Sequence, residues 1–242
     1  METSHRPWPL PPGPWVMVQR WHDLLFAHWP VARDALRPLI PDSLEIDTFD
    51  GTGWIAVVPF RMSGVRPRLA LAVPRLSAFP ELNVRTYVKA GDKPGIWFFS
   101  LEAGNPLAVE IARRWFHLPY FHAEMSLREA DGWIDYHSRR IHRGAPPAEF
   151  VGRYRAKGEA RLAAPGTLER WLTERYCLYT PDGHGRMRRG EIHHAQWPLQ
   201  AAEAEIEANS MTGLQGIALA GPPLLHFARY LEAFVWPLRP IG

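Results

Sequence analysis

HLPYFHAEMSLREADGWIDYHSRRIH, residues 117–142, predicts a β-hairpin whose register follows from its turn. If the Asp-Gly pair at 131–132 is a two-residue turn, Ala130 faces Trp133 and the pairing of the other positions is fixed. This register brings opposite charges together at two places on one face, and each such cross-strand pair contributes about 0.2–1 kcal/mol. The pairs are Arg128 with Asp135 and Glu124 with Arg139, and Ser126 faces His137. The charges therefore support the register that the turn predicts.

The other face of this hairpin is apolar near the turn and polar at its far end. It carries Phe121, Ala123, Met125, Leu127, Tyr136, Ser138, Arg140 and His142. An arginine on an interior face is costly unless it meets a carboxylate or an anionic ligand. Arg140 is therefore the best candidate for binding an anion, and Glu81 is its expected partner when no ligand is present. The alternative is that the strand end has left the core, so that Arg140 is solvated.

Most of the remaining chain also has strand-like patterns. The predicted strands are 15–26, 53–62, a hairpin of 81–88 with 96–102, a hairpin of 177–180 with 187–193, and the alternating segment 201–210. Helices are predicted at 32–47, where prolines stop a short one, at about 106–117 and at 167–176. A C-terminal helix is predicted because Leu224, Phe227, Ala228, Leu231 and Phe234 recur at helical spacing. The chain is thus α+β, with a mostly antiparallel sheet that is large enough to close.

Length and composition indicate one globular domain, residues 15–242, preceded by an extended proline-rich arm, residues 1–14. The net charge is +3, but arginines alternate with acids along the chain, so a nucleic-acid partner is not expected. The first residues have no signal-peptide pattern, and no apolar run approaches the roughly 18 residues of a membrane span. With a single cysteine, Cys177, these features predict a cytoplasmic protein without a membrane partner.

Four segments carry a resemblance to a known family. They are HWPVARDALRPLIPDSLEID, FPELNVRTYV, HLPYFHAEMSL and LLHFARYLEAFVWPL, and together with their order they resemble the YqjF-like family of bacterial proteins over about residues 13–240. That family is more distantly similar to acetoacetate decarboxylase. The resemblance implies a closed, cone-shaped β-barrel of antiparallel strands with an interior pocket and a few flanking helices.

The resemblance also identifies a missing group. Where the decarboxylase has Phe-Pro-Lys-Lys, with the lysine that forms its Schiff base, this chain has Leu118-Pro119-Tyr120-Phe121. The chain has three lysines, Lys89, Lys93 and Lys157, and all lie in a predicted turn or a charged stretch. A Schiff base requires an amine with a lowered pKa, so Schiff-base decarboxylation is not expected.

The strand ELNVRTYV supplies further candidates for the pocket. Alternation places Glu81, Asn83, Arg85 and Tyr87 on one face. The resemblance implies that a glutamate of this strand lines the pocket, at the position of either Glu81 or Asn83. The alternative is an ordinary solvated outer face.

Two pairs of neighbouring residues complete the candidate ligand-binding set. Tyr120 and His122 align with the lysine motif, which indicates the pocket, but the hairpin register puts them on the face of Glu124. A bulge after Pro119 would reconcile the two arguments. His28 and Trp29 lie where the resemblance implies polar pocket residues, with Trp29 as a wall and His28 as an acid or base, or else both as core residues.

No cofactor and no metal are predicted, because no metal-binding motif is present. The chain contains His193-His194 and the pair His117 and His122, but no HExxH and no closed Cys/His set. A His/Glu site assembled from distant strands is not excluded by this argument. Cys177 has no local sign of activation.

Three functions follow as hypotheses. The first is a small-molecule-binding protein for an organic acid, which binds through Arg140, Arg85 and Glu81. The second is an enzyme that uses Glu81 or His28 in acid–base chemistry on a small keto or hydroxy acid. The third is a non-catalytic regulatory or assembly protein that forms a homo-oligomer through its proline-rich arm and its predicted C-terminal helix.

Overall fold

The computed structural model describes residues 1–71 and 77–241, and strands predominate in it. The strands are β1 Met17–Val31, β2 Glu45–Ile46, β3 Gly53–Pro67, β4 Phe79–Ala90, β5 Lys93–Ala103, β6 Tyr120–Ala130, β7 Trp133–Arg140, β8 Glu149–Leu162, β9 Cys177–Pro181, β10 Met187–His194, β11 Pro198–Asn209, β12 Leu224–Val235 and β13 Arg239–Pro240. The helices are α1 Arg33–Leu36, α2 Pro106–Trp115 and α3 Leu168–Thr173, with short 3-10 turns at Arg37–Leu39 and Gly213–Gln215.

These strands form one sheet, in the order β13-β10-β9-β5-β6-β7-β8-β11-β12-β1-β3-β4-β2. β5 also pairs with β4, and β10 also pairs with β12. β5 runs parallel to β6 and β9, and the other pairings among the described residues are antiparallel. The prediction of a mostly antiparallel sheet with a few short helices is confirmed.

The register predicted for the β6–β7 hairpin is also confirmed. Ala130 pairs with Trp133, and the two pairs of opposite charge face each other as expected. Arg139 and Glu124 form an ion pair. The other two predicted hairpins, β4–β5 and β9–β10, are present as well. Local turn chemistry was sufficient to predict these three pairs of strands.

The prediction of a C-terminal helix is wrong, because residues 224–235 form strand β12. β12 pairs with β1 from Leu224 opposite His28 to Val235 opposite Met17, and it also pairs with β10 and β11. Parts of β12 are buried on both faces, so its apolar residues do not alternate. The apolar residues of β12 recur at helical spacing although the segment is a strand, so their period did not separate strand from helix.

The two longer helices begin at capping residues, as predicted. The Asn105 side chain accepts hydrogen bonds from the backbone N–H groups of Leu107 and Ala108, and Pro106 follows it. Thr167 accepts from the N–H of Arg170 at the start of α3. Within the described residues no helix is long and apolar enough to cross a membrane.

Strands β1, β3 and β4 are buried on both faces, so two cores lie on opposite sides of them. The first core contains Leu25, Ala27, Trp29, Ile55, Val57, Leu82, Val84, Tyr136, Phe150 and Tyr154. The second core contains Leu24, Phe26, Ala56, Val58, Phe60, Leu101, Ala103, Val109, Tyr120 and Trp197. Side chains that alternate along β4 therefore enter two different interiors.

The N-terminal residues contact the sheet through aromatic and charged side chains. Residues 1–14 contain no helix or strand. Trp8 donates a hydrogen bond from Nε1 to Oε2 of Glu191 at 2.9 Å, and the Trp15 ring lies 5.4 Å from that of Phe234. These contacts attach the segment to β10 and β12.

Candidate functional site

The polar face of β4 is buried. Glu81 is 2% exposed, Asn83 is 5% exposed, Tyr87 is fully buried and Arg85 is half-buried. Their sheet neighbours on β3 are Phe60, Val58 and Ala56, which belong to the second core. The alternative of a solvated outer face is therefore wrong. Glu81, Asn83 and Arg85 form the polar part of the second core, and Tyr87 packs in a smaller cluster with Ile96 and Leu172.

Glu81 and Tyr120 form a hydrogen-bonded pair at one end of this group. The Tyr120 hydroxyl donates to Oε2 of Glu81 at 2.9 Å. Burial raises the pKa of Glu81 to about 8, and the nearby Glu102 carboxylate raises it further, while the bond from Tyr120 acts in the opposite direction. Burial raises the pKa of Tyr120 well above its usual value, and ionisation of Glu81 would raise it further. At neutral pH the pair therefore consists of a carboxylic acid and a neutral phenol.

The position of Tyr120 resolves the conflict between motif and register. Tyr120 has the parity of Glu124, as the register predicts, and it is nevertheless 7% exposed. At this end of β6 the strand lies beside β5, with Tyr120 next to Leu101, and Val109 of α2 packs in the same core. Neighbouring elements cover the outer face here, so a bulge is not needed to bring Tyr120 inside.

His28 and Arg85 lie on either side of a small residue in the same core. His28 on β1 pairs with Ala56 on β3, and Ala56 pairs with Arg85 on β4, so the three side chains share one face. His28 and Arg85 are two strands apart, which corresponds to roughly 10 Å. The Ala56 side chain is a single methyl group, so it does not fill the space between the His28 imidazole and the Arg85 guanidinium.

His28 is fully buried and neutral. Its Nε2 lies 2.7 Å from the Tyr87 hydroxyl, and its ring stacks on Phe26 with 6.1 Å between centroids. Burial and the positive charge of Arg85 lower the pKa of His28 well below its usual value. The Arg85 guanidinium lies 5.4 Å from the Phe26 ring centre, so both groups contact the same aromatic ring.

Several buried polar atoms around Phe26 have no hydrogen-bond partner within the described part of the chain. They are Nδ1 of His28, Oδ1 of Asn83, Nε of Arg85, Nε1 of Trp197 and Nδ1 of His226. The ring of Phe26 lies 5.0 Å from that of Trp197, and the rings of His28 and His226 are 6.4 Å apart. Buried polar atoms in native proteins nearly always have partners. Nε of Arg85 and Nε1 of Trp197 can donate hydrogen bonds to a ligand or ordered water, and Oδ1 of Asn83 can accept one.

Arg140 is buried, as predicted, but the prediction that Glu81 is its partner is wrong. Its Nε donates to Oε1 of Glu102 at 3.0 Å and its Nη1 to the Pro146 carbonyl at 3.3 Å, and Glu81 is not involved. Glu102 pairs with Leu82 across the β4–β5 ladder, so the ion pair lies on the side of the first core. Sequence analysis overlooked Glu102, although a single acid inside the apolar strand IWFFSLE was a signal for it.

Trp29 lies apart from the second core. It alternates with His28 and packs in the first core, where its Nε1 donates to the Gly221 carbonyl at 3.2 Å. His122 is half-buried and pairs with Ala103, the sheet neighbour of Glu81, so it shares the face of Glu81 without being fully enclosed. The structure thus brings together Glu81, Asn83, Arg85, Tyr120 and His28, with His122 on the same face, and it separates them from Arg140 and Trp29.

Sequence analysis missed His226 and Trp197 as members of the cluster. His226 pairs with Phe26 across the β1–β12 ladder and with Ala201 on β11. Because residues 224–234 were predicted to form a helix, the pairing of His226 with Phe26 was not expected. Trp197 lies just before β11, and only the pairing of distant strands brings it to Phe26.

The reactive groups elsewhere offer no nucleophile at this site. None of the lysines is buried, and Lys89 and Lys93 form ion pairs with Glu45 and Glu191. Burial raises the pKa of the Cys177 thiol to about 12. Among residues 1–71 and 77–241, no three His, Cys, Asp or Glu side chains are grouped as a metal site requires.

The architecture is that of the acetoacetate-decarboxylase-like proteins. Acetoacetate decarboxylase from Legionella pneumophila aligns with a TM-score of 0.66 at 10% identity, over 99% of this chain and 93% of that one. The enduracididine biosynthesis enzyme MppR, solved with pyruvate, aligns with a TM-score of 0.64 at 9% identity, over 95% and 91% of the two chains. These likenesses define the class of fold.

The family is defined by sequence. The model of DUF2071, described as an uncharacterized conserved protein, matches residues 18–232. The protein YqjF of Bacillus subtilis is 46% identical over 231 residues, which are 95% of this chain and 94% of that protein. The chain belongs to the DUF2071 family, and the resemblance stated from its motifs is confirmed.

Proposed function

We propose that this protein binds a small organic acid in its second core, between His28, Arg85 and Glu81, without forming a Schiff base. The observation that carries the proposal is the cluster of buried polar atoms that lack partners around Phe26. The carboxylate of a compact ligand would accept hydrogen bonds from Nε of Arg85 and Nε1 of Trp197, and a hydroxyl group on the ligand would donate to Oδ1 of Asn83.

The strand pairings support an enclosed pocket. β1 pairs with β3, β3 with β4, β4 with β5, β5 with β9, β9 with β10, β10 with β12, and β12 with β1. A series of pairings that returns to its first strand is the pattern of a closed barrel. The polar face of β4 and the Ala56 row would then point into that barrel, where side chains surround a ligand on all sides.

Each polar residue has a role that its chemistry suits. The planar guanidinium of Arg85 would bind the ligand carboxylate, since arginine has donors that match two carboxylate oxygens. His28 and Asn83 would bond the remaining polar atoms. The Glu81–Tyr120 pair would lie at the other end of the ligand, where it can exchange a proton.

Acid–base catalysis is the second candidate, and the raised pKa of Glu81 favours it. A carboxyl group with a pKa of about 8 is protonated at neutral pH and can donate to a carbonyl oxygen, and its conjugate base can accept a proton from carbon. Removing the titrating group by Glu81→Gln would abolish turnover and leave ligand affinity nearly unchanged, which separates catalysis from binding. Turnover that survives Glu81→Gln would exclude this candidate.

Pyruvate is a suitable first probe, because a protein of the same fold was solved with it. We expect pyruvate to raise the Tm of the wild type by about 5–10 °C at about 100 times its Kd. Arg85→Gln should abolish the shift by removing the cation, and Ala56→Val should abolish it by filling the space between His28 and Arg85. Arg20→Gln is the matched control, because Arg20 lies on β1 and pairs with Glu232 at the surface.

Two results would contradict the proposal. No shift with pyruvate or with other short keto and hydroxy acids would remove the organic-acid ligand and favour a regulatory or assembly role. Equal shifts in the wild type, Arg85→Gln and Ala56→Val would place the ligand outside the second core.

A further inference from the structure

A cleft lies at the surface, on the other side of Tyr87 from the proposed pocket. This cleft has a volume of about 600 Å³. It lies between the N-terminal segment, the β4–β5 turn and residues 166–176, and we call it the arm cleft. Its lining includes Pro7, Phe49, Arg170, Trp171, Arg175 and Tyr176. A volume of this size accommodates a small molecule.

Arg175 forms the floor of the arm cleft and has an unused donor. It is 5% exposed, and its guanidinium stacks on Trp171 at 4.3 Å and on Tyr87 at 4.9 Å. Its Nη1 donates to Oδ2 of Asp47 at 2.5 Å and its Nε to the Trp171 carbonyl at 2.7 Å. Its Nη2 is buried and has no partner in the described residues. A buried arginine donor is costly to leave unpaired, so this atom is suited to bind a ligand oxygen.

The charges around the cleft favour an anionic ligand. Asp47 is already paired with Arg175, and Glu174 accepts hydrogen bonds from the Tyr176 hydroxyl and from the Trp197 backbone N–H. Arg170, by contrast, forms no ion pair within residues 1–71 and 77–241, and its Nη1 donates to the Ala163 carbonyl at 3.4 Å. The cleft therefore presents one guanidinium without an ion pair and one free buried donor, and Asp92 of the β4–β5 turn is a further exposed acid in its lining.

The walls favour a flat apolar group. The rings of Phe49 and Trp171 lie 5.9 Å apart, and Pro7 and Tyr176 face the same cavity. An aromatic ring that stacks on these side chains buries its faces, and a carboxylate attached to it would reach the arginines at the floor.

We propose that the arm cleft is a second binding site, which takes an aromatic or heteroaromatic carboxylate. It is distinct from the pocket proposed above, because the ring of Tyr87 separates Arg175 from His28. Its ligand is larger and flatter than the short acid proposed for the second core. The two sites can therefore be tested independently.

Benzoate is the probe, and isothermal titration calorimetry measures its Kd. We expect Arg170→Gln to weaken benzoate binding by about tenfold or more, because a charge-assisted hydrogen bond is lost. Trp171→Leu should weaken it by up to about tenfold through lost stacking. Benzyl alcohol, which has the ring without the charge, should bind the wild type at least about tenfold more weakly than benzoate.

Matched controls use the same substitutions outside the cleft. Arg161→Gln removes an exposed arginine beside α3, and Trp133→Leu removes a tryptophan that stacks on surface arginines of β8. Both should leave the benzoate Kd unchanged. Ala56→Val, which fills the second core, should also leave it unchanged. If Trp171→Leu does not fold, Arg170→Gln and the comparison with benzyl alcohol still decide the outcome.

The proposal is overturned by any of three results. Benzoate that gives no binding heat at millimolar concentration shows that the cleft does not take aromatic acids. A Kd that Arg170→Gln leaves unchanged shows that the unpaired guanidinium is not used. Loss of benzoate binding in Ala56→Val shows that the probe occupies the second core instead.

Discussion

Arg140→Met is expected to lower the free energy of unfolding by about 3–5 kcal/mol, because it leaves Glu102 buried without its cation. Both side chains of this ion pair are fully inaccessible to solvent. Glu102 also accepts a hydrogen bond from Ser100, which cannot replace the lost charge. Denaturant unfolding at pH 7 measures the change.

Arg139→Met is the control for this prediction. Arg139 precedes Arg140 on the same strand and pairs with Glu124 at the surface, where both side chains are more than half exposed. An exposed pair of this kind contributes about 0–1 kcal/mol. Equal effects of the two substitutions would contradict the assignment of Arg140–Glu102 as an interior ion pair.

The double variant Arg140→Met/Glu102→Leu extends the test. Replacing both members of a buried ion pair with apolar residues is often neutral or stabilising, because the cost of desolvating two charges disappears. We therefore expect the double variant to regain most of the stability that Arg140→Met loses. A double variant that is less stable than Arg140→Met would show that the pair contributes more than charge compensation.

Glu81→Gln is expected to change how stability depends on pH. The pKa of Glu81 in the folded protein is about 8, above the usual value of 4.5, so between these values the folded state binds more protons than the unfolded state. This group's contribution is fully present below pH 4.5 and is lost as pH rises to 8. Relative to Glu81→Gln, the wild type should lose about 1.4 kcal/mol per pH unit within that window.

The measurement is the difference in unfolding free energy between wild type and Glu81→Gln from pH 5 to pH 8. The buried histidines have lowered pKa values, so their contribution to stability decreases as pH falls below 6.5, which is opposite to the effect of Glu81. Both proteins contain these histidines, so their contribution cancels in the difference. Glu124→Gln is the control, because this glutamate is exposed on β6. A constant difference between wild type and Glu81→Gln would show that Glu81 titrates normally.

Features that depend on neighbouring residues were predictable from the sequence. The turn at 131–132 and two pairs of charges were sufficient for the β6–β7 register, and Asn105 followed by proline identified the start of α2. Alternation along β4 correctly grouped Glu81, Asn83 and Arg85. Each of these inferences depends on chemistry within one hairpin or one helical turn.

Features that depend on distant pairings were not predictable. The alternation of side chains along β4 predicts that Glu81 and Leu82 point to opposite sides of the sheet. It does not predict that both sides of the sheet are buried. Glu81 was therefore paired with Arg140, although the β4–β5 ladder puts Glu102 on the side of Arg140. The placement of Tyr120 likewise required knowledge of what covers the end of β6.

The pairing of β1 with β12 has a consequence for synthesis in the cell. One edge of the first strand pairs with residues 224–235, so its full set of backbone partners exists only after nearly the whole chain has left the ribosome. Pairings of such long sequence separation are slow to form, because a large loop must close first. Until then, β3 is the available partner for β1, the other edge of β1 is unpaired, and unpaired strand edges are prone to aggregate.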